Sequence, residues 1–372
     1  MNRFAVIFLP ALIYQTLAII AGLNHLRRRY LFARQPKTSF RPAVSVLKPL
    51  RGLDPNTFEA FISQASQNYP EFELLFGVAD NADPVIPEVR RLQAIFPEVP
   101  IRLLIGSEPL ANGKAGVLAN LARHARYSIW VINDSDIKVT DRYLPEIITP
   151  LSKPSISLVT CLYRARAHSL SALWEALGIA TDFMPSTLVA QLIGVREFGL
   201  GSTLAFHSAD LERVGGFEAI GDYLADDYQL AKRVTGFGKR AWLSTYTVET
   251  SLGDTSWRGG FQHQLRWART IRASKGGGYA GLPITHTGIW ILVALASGFK
   301  AIGFTLLAVR LLTALLSSWL VLESLQSASI FWLAPVLDLY SFAVWLASYA
   351  GREVRWRDRV MSIDRQGRIL RK

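Results

Sequence analysis

Two groups of acidic residues are spaced so that their carboxylates could do chemistry. Asp134-Ser135-Asp136 sets two of them two residues apart. A divalent cation that bridges a diphosphate takes hard oxygen ligands from only one or two carboxylates, with phosphate and water completing its shell. It then neutralises charge developing on the departing diphosphate. The pair therefore suits Mn2+ or Mg2+ held together with a nucleotide-sugar donor. A D-x-D triplet also occurs in ordinary turns; here it directly follows the apolar run Ile129-Trp130-Val131-Ile132. The second group is Leu224-Ala225-Asp226-Asp227-Tyr228, at the start of a helical pattern. Both acids could simply serve the helix N-terminus, where negative charge is favoured. One of them could instead remove a proton from an acceptor hydroxyl as general base, with its neighbour's charge raising its proton affinity.

These residues need a scaffold, and the segment between about 40 and 280 alternates strand and helix signals, which argues for an α/β fold on a mostly parallel sheet. Ala43 to Leu47 is a short buried strand. Asp54-Pro55 opens a helix with Phe58, Phe61, Ile62 and Ala65 at helical spacing. Phe72 to Ala79 is a strand ending at Asp80, and Asp83-Pro84 begins a helix with Val85, Val89, Leu92 and Phe96 on one face. Ile101 to Ile105 is the next strand. A helix near Ala115 to Ala125 leads into Ser128 to Asn133, which ends at Asp134. Asp80 and Asp134 thus lie just past strand ends, where open α/β sheets bind ligands, although a strand-ending Asp also caps turns.

Half of the residues are apolar and the mean hydropathy is +0.21, which implies membrane spans. Phe4 to Leu23 has the length of a span. With only Arg3 before it and no small-residue cleavage site, it reads as an uncleaved anchor. His25-Leu26-Arg27-Arg28-Arg29-Tyr30 follows, which puts the next segment in the cytoplasm. Phe331 to Ala350 reads as a span despite Asp338. Ile289 to Leu322 is interrupted by Lys300 and Arg310. Because the tail from Arg352 is also basic, an even number of C-terminal spans is expected: two, with residues near 285–300 along the interface, and three as the alternative.

Formal net charge is +12. The excess sits beside apolar runs and in the tail, so anionic lipid headgroups are the expected partner. No zinc-finger spacing, recognition helix or RNA-binding aromatic motif suggests nucleic acid. Phe261 to Lys275 is amphipathic, with Phe261, Leu265, Ala268 and Ile271 as its apolar stripe and Arg266, Arg269, Arg272 and Lys275 supplying charge. It reads as a helix lying among headgroups. The lone Cys161 excludes an internal disulfide and a Cys-rich metal site, and reads as a buried strand residue.

In order, Val44 to Asp54, Asp80, Asn112-Gly113-Lys114, Asp134-Ser135-Asp136, Val214 to Phe217, Asp226-Asp227-Tyr228 and Arg266-Trp267 resemble the ceramide glucosyltransferase family of inverting, GT-A-fold enzymes. The likeness spans about residues 40–275. It implies a UDP-sugar donor, UDP-glucose or UDP-N-acetylglucosamine, and a membrane-lipid hydroxyl as acceptor. It implies that Asp80 contacts the uracil or ribose, that Asp134 and Asp136 hold metal and diphosphate, and that Asp227 is the base. Lys114 joins the donor site. Arg266 closes on the diphosphate and Trp267 stands beside the acceptor. Where the family has Gln or Arg in the closing motif this chain has His263, flanked by Gln262 and Gln264, which touches acceptor identity; Val117 replaces a frequent asparagine. The trimmed C-terminal region is similar to the hopanoid-associated bacterial branch, which favours a hopanoid polyol over ceramide. A polysaccharide synthase and a non-catalytic membrane-surface protein are the alternatives. The expected organisation is an anchor over 1–24, a cytoplasmic GT-A domain over 25–282 including an interfacial helix at 258–275, an interfacial and transmembrane region over 283–350, and a basic cytoplasmic tail over 351–372. The membrane expected is the bacterial inner membrane.

Overall fold

The structure is a computed structural model that describes residues 3–35, 39–54, 56–254, 256–356 and 359–370. Pro55 and, in the tail, Arg357, Asp358, Arg371 and Lys372 lie outside the described residues. The scaffold is a seven-stranded sheet of β1 (Val44–Pro49), β2 (Phe72–Val78), β3 (Ile101–Ile105), β4 (Ile129–Ile132), β5 (Ile156–Ala167), β6 (Leu204–His207) and β7 (Arg240–Leu252). Its order is β3-β2-β1-β4-β6-β5-β7. β3, β2, β1 and β4 are parallel, β6 is antiparallel to both its neighbours, and β5 pairs β7 in parallel.

Alternation along the strands splits the core into two layers. Val44, Val46, Leu74, Phe76 and Val78 face one layer with Phe61, Val89 and Leu92. Leu47 and Leu75 face the other, with Val117, Leu118 and Leu121 from the Gly113–Ala122 helix. Gly77 permits that second contact, because a Cβ there would meet Val117 at 2.7 Å and Leu121 at 2.9 Å. Val117 therefore packs against the sheet. Cys161 is buried on β5, as expected.

Three helices are long and apolar enough to cross a membrane: Ala5–Ala33, Lys300–Val321 and Phe331–Ser348. The first runs past residue 24, so the basic run at 25–30 is helical. Arg28 donates to Gln191 Oε1 (2.8 Å) and the Leu243 carbonyl (3.0 Å), and Arg29 pairs with Glu323 (3.0 Å). The charges that interrupt the second region are both accommodated. Lys300 stands at a helix start. Arg310 and Asp338, each 1% exposed, form a bidentate pair between the two C-terminal helices, at 2.8 and 2.6 Å. Arg310 also donates to the Thr181 carbonyl (2.9 Å), and the Gly288 N–H donates to Asp338 (2.8 Å).

The stretch read as lying along the interface forms Thr287–Ala296, bent 43° from Gly276–Ile284. One face of it packs on the last apolar helix, where a Cβ on Gly288 would stand 2.1 Å from the Pro335 carbonyl oxygen, while Leu292 and Val293 on the other stay exposed. If this bent pair crossed as well, the C-terminal spans would be odd in number. The tail excludes that. It forms an antiparallel sheet of β8 (Glu353–Trp356), β9 (Arg359–Ile363) and β10 (Ile369–Leu370). The Ile369 N–H donates to the Asp222 carbonyl (2.8 Å), and the Leu224 N–H to the Gly367 carbonyl (3.1 Å). Wherever the apolar helices cross a membrane, tail and α/β domain therefore share one side of it. Reporters inserted near Gln35 and fused after Lys372 are expected to read on that same side; opposite readings would overturn the parity.

Candidate active site

The D-x-D segment is fixed from beneath by a buried cation. Lys48, fully buried on β1, donates from Nζ to Asn133 Oδ1 (2.6 Å) and to the Asp134 carbonyl (2.9 Å). Burial pushes this ammonium down to about 7 against the opposing pull of Asp136 and Asp134. Ser135 Oγ donates to Asp54 Oδ2 (2.9 Å). Asp136 accepts a short hydrogen bond from Thr250 Oγ1 on β7, and burial, reinforced by the Asp134 charge, pushes its carboxyl up to about 6. Asp134 stays 45% exposed and pairs with Lys114 at 2.7 Å.

The proposed base comes in from the other side. Asp226 and Asp227 occupy the first turn of Asp226–Val234, whose N-cap, Ala225, supplies no side-chain cap. Asp227 accepts from the Gly201 N–H at Oδ2 (3.1 Å) and from the Tyr228 N–H at Oδ1 (2.7 Å). Burial, then the Asp226 charge, pushes it up to about 6, with Lys114 opposing. Asp226 does more than favour the helix end, since its carboxylate lies 3.6 Å from Lys114. Asn112 Oδ1 caps the Gly113–Ala122 helix through the Lys114 and Ala115 N–H groups, while its Nδ2 donates to the Tyr223 carbonyl (2.8 Å).

The two acidic groups meet at Gly201. A Cβ built there would lie 3.1 Å from Asp134, 3.4 Å from Asp227 and 3.7 Å from Lys114 Nζ. Sequence reading missed this glycine, and nothing in a lone Gly-Leu-Gly-Ser signals such a convergence. Asp80 stands apart. It is exposed past β2, accepting from the Ala82 N–H (2.9 Å), two strands and so roughly 10 Å from the end of β4.

Arg266, Trp267 and His263 share the helix Trp257–Ser274. The Arg266 guanidinium forms no hydrogen bond or ion pair among the described residues; partial burial pushes it below its ordinary value, while Glu175 and then Asp134 oppose the shift. The Trp267 ring lies 5.0 Å from His263 and 5.9 Å from Phe183, and His263 Nδ1 is 2.6 Å from Glu175 Oε1. Glu175 was also missed, although an acid inside the apolar Ala172 to Leu177 was a visible signal.

The expectation that this helix presents its arginines to headgroups needs correction. Arg269 donates to the carbonyls of Glu353 and Ala350 and Arg272 to that of Gly351, so both clasp the tail. Lys275 lies over the Tyr228 ring (5.3 Å), and Phe261 packs on Tyr340 of the last apolar helix (6.2 Å).

Donor chemistry fits what Asp134 and Asp136 offer. Among the described residues no group of three or more His, Cys, Asp or Glu could hold a metal alone, so any cation there would need phosphate or water to complete its shell. The Lys114 ammonium beside Asp134 already marks a cation's place.

Sheet order and the acidic junction beyond β4 define a GT-A glycosyltransferase fold. A mannosyltransferase from Pyrobaculum calidifontis, solved in complex with GDP-Man and Mn2+, shares that fold at 21% identity and a TM-score of 0.53, covering 92% of this chain and 97% of its own. The chain belongs to glycosyl transferase family 21, which it matches over residues 4–369. It is 30% identical over 231 residues to ceramide glucosyltransferase 1 of Caenorhabditis elegans, covering 61% of this chain and 49% of that one. Ceramide glucosyltransferase 3 of the same organism is 26% identical over 254 residues, 67% of this chain and 55% of that protein. The chain thus spans about half the length of these curated relatives.

Proposed function

We propose that this chain is an inverting glycosyltransferase that moves glucose or N-acetylglucosamine from a UDP-sugar to the hydroxyl of a membrane lipid, a hopanoid polyol ahead of ceramide. The observation that carries the reading is the junction at Gly201, where the half-buried Asp227 carboxylate and the Asp134–Lys114 pair face one another. Asp227 takes the acceptor proton on the face opposite the leaving diphosphate. Asp134 and Asp136 hold a divalent cation, Mn2+ or Mg2+, which neutralises charge on the diphosphate when bound. Lys114 and the unpaired Arg266 supply further positive charge there, Asp80 receives the uridine, and Trp267 and His263 line the acceptor side. The helices and basic flanks support an integral protein of a bacterial inner membrane with its α/β domain in the cytoplasm, its remaining surface arginines facing anionic headgroups.

Membranes given labelled UDP-sugars are expected to yield a monoglycosylated lipid, identified by mass. An oligosaccharide product would mean a polysaccharide synthase, and no UDP release with any lipid extract would mean a non-catalytic protein. Transfer is also expected to vanish with chelator and return with Mn2+ or Mg2+; full activity in excess chelator would overturn the metal assignment.

A further inference from the structure

The residue that departs from the closing motif has a partner that accounts for it. His263 Nδ1 lies 2.6 Å from Glu175 Oε1, and that carboxylate is only 6% exposed. A carboxylate kept from water is held in place by whatever satisfies it, and a neutral imidazole whose Nδ1–H is committed to a carboxylate presents its other nitrogen as an acceptor. His263 Nε2 has no hydrogen-bond partner among the described residues, and the side chain is 33% exposed.

The surrounding contacts tie this pair to the acceptor side. Glu175 belongs to Leu170–Gly178, which continues through Ile179–Phe183. That run therefore touches the closing helix at three places: Trp174 on Trp257 at 6.4 Å, Glu175 on His263, and Phe183 on Trp267 at 5.9 Å. His263 and Trp267 are four residues apart on one helix face, with rings 5.0 Å apart. Arg266, three residues along the same helix from His263, is opposed first by the Glu175 charge and then by that of Asp134.

We propose that Glu175 is a positioning residue that fixes His263 with Nε2 free, and that Nε2 accepts a hydrogen bond from a second hydroxyl of a polyhydroxylated lipid, so that the pair selects polyols over mono-alcohols. This rests on the lipid-acceptor reading above. In that arrangement the reacting hydroxyl gives its proton to Asp227, while the second hydroxyl is held beside Trp267. A glutamine at 263 would not need a buried carboxylate opposite it, which is why residues 175 and 263 belong together.

The test uses the full chain in nanodiscs with a hopanoid polyol and the matching hopanoid mono-alcohol, measuring lipid binding, UDP-sugar binding and transfer. The variants are His263→Phe, which keeps a ring against Trp267, Glu175→Leu, Glu175→Gln and the double variant His263→Phe/Glu175→Leu. His263→Phe and Glu175→Leu are each expected to weaken polyol binding on the order of 10-fold more than mono-alcohol binding, the effect of one hydrogen bond, while UDP-sugar binding stays unchanged. Glu175→Gln keeps an acceptor oxygen and should restore most of the preference. The double variant should be no worse than either single one. Equal losses for polyol and mono-alcohol, multiplying losses in the double variant, or a shift in UDP-sugar binding would overturn the pairing. Selective polyol binding by a wild-type protein that transfers no sugar would overturn the reaction and leave the pairing standing.

Discussion

Replacing Asp227 by Asn is expected to lower transfer about 10²–10⁴-fold, the usual contribution of a general base, with UDP-sugar affinity nearly unchanged. The amide keeps the carboxylate's shape but cannot take a proton. It can still accept from either Gly201 or Tyr228, the two N–H groups that hold Asp227 at 3.1 and 2.7 Å, though not from both. That structural loss is about 1 kcal/mol, far below the effect on rate. Burial and Asp226 push the Asp227 carboxyl up to about 6. A base must be unprotonated to act, so kcat/KM should climb with pH through that region and level off above it, and the limb should vanish in the variant. Asp134→Asn should instead weaken metal-dependent donor binding as well as turnover, because it removes one charge of the proposed metal pair and the counter-charge of Lys114 at 2.7 Å. Asp226→Asn lies between, since Asp226 is the more distant counter-charge of the same lysine, at 3.6 Å. An Asp227→Asn protein that transfers at the wild-type rate would remove the base assignment, and abolition by Asp226→Asn alone would pass the role to the neighbour.

Breaking the Arg310–Asp338 pair should produce the largest loss of stability in the molecule, about 3–5 kcal/mol for Asp338→Asn or Arg310→Met. Both partners are 1% exposed, so either single change leaves a charge stranded among apolar helices. Asp338→Asn also disturbs the acceptor of the Gly288 N–H, and Arg310→Met frees the Thr181 carbonyl. The double change Arg310→Met/Asp338→Leu removes both charges and should recover much of the loss. Thermal unfolding of the full chain in one detergent reads all three. Unfolding temperatures unmoved by either single change, or a double variant worse than the sum of the singles, would show that the pair does not lock the helices.

The same pair shows where reading along a chain stops. A hydropathy window weighs Arg310 and Asp338 as separate penalties; the relief comes from a partner 28 residues away and needs the fold to reveal it. Glu175 and His263, 88 residues apart, escaped for the same reason. Local signals served well where the physics is local. Buried runs that end at Asp80 and Asp134 became β2 and β4 with those acids just beyond them, and the helical spacing of Phe61 and Leu92 put both in the core. The Arg269 and Arg272 face failed because periodicity distinguishes wet from dry sides, not phosphate from carbonyl oxygen. β6 was invisible: Leu204–His207 is short, and its antiparallel insertion between β4 and β5 is a property of the sheet.

The docking of the tail on Asp222 and Leu224 has a consequence in time. On the approach to Asp226 and Asp227, the Asp222 carbonyl and the Leu224 N–H take their backbone partners from the tail, at Ile369 and Gly367. At roughly 5–20 residues per second of synthesis, the segment carrying the base leaves the ribosome roughly 10–30 s before those partners exist. Both later apolar helices must be threaded into the bilayer in the meantime. A nascent chain can thus complete β1 to β7 and still lack the braced approach to Asp227, which ties maturation of the site to completion of membrane insertion.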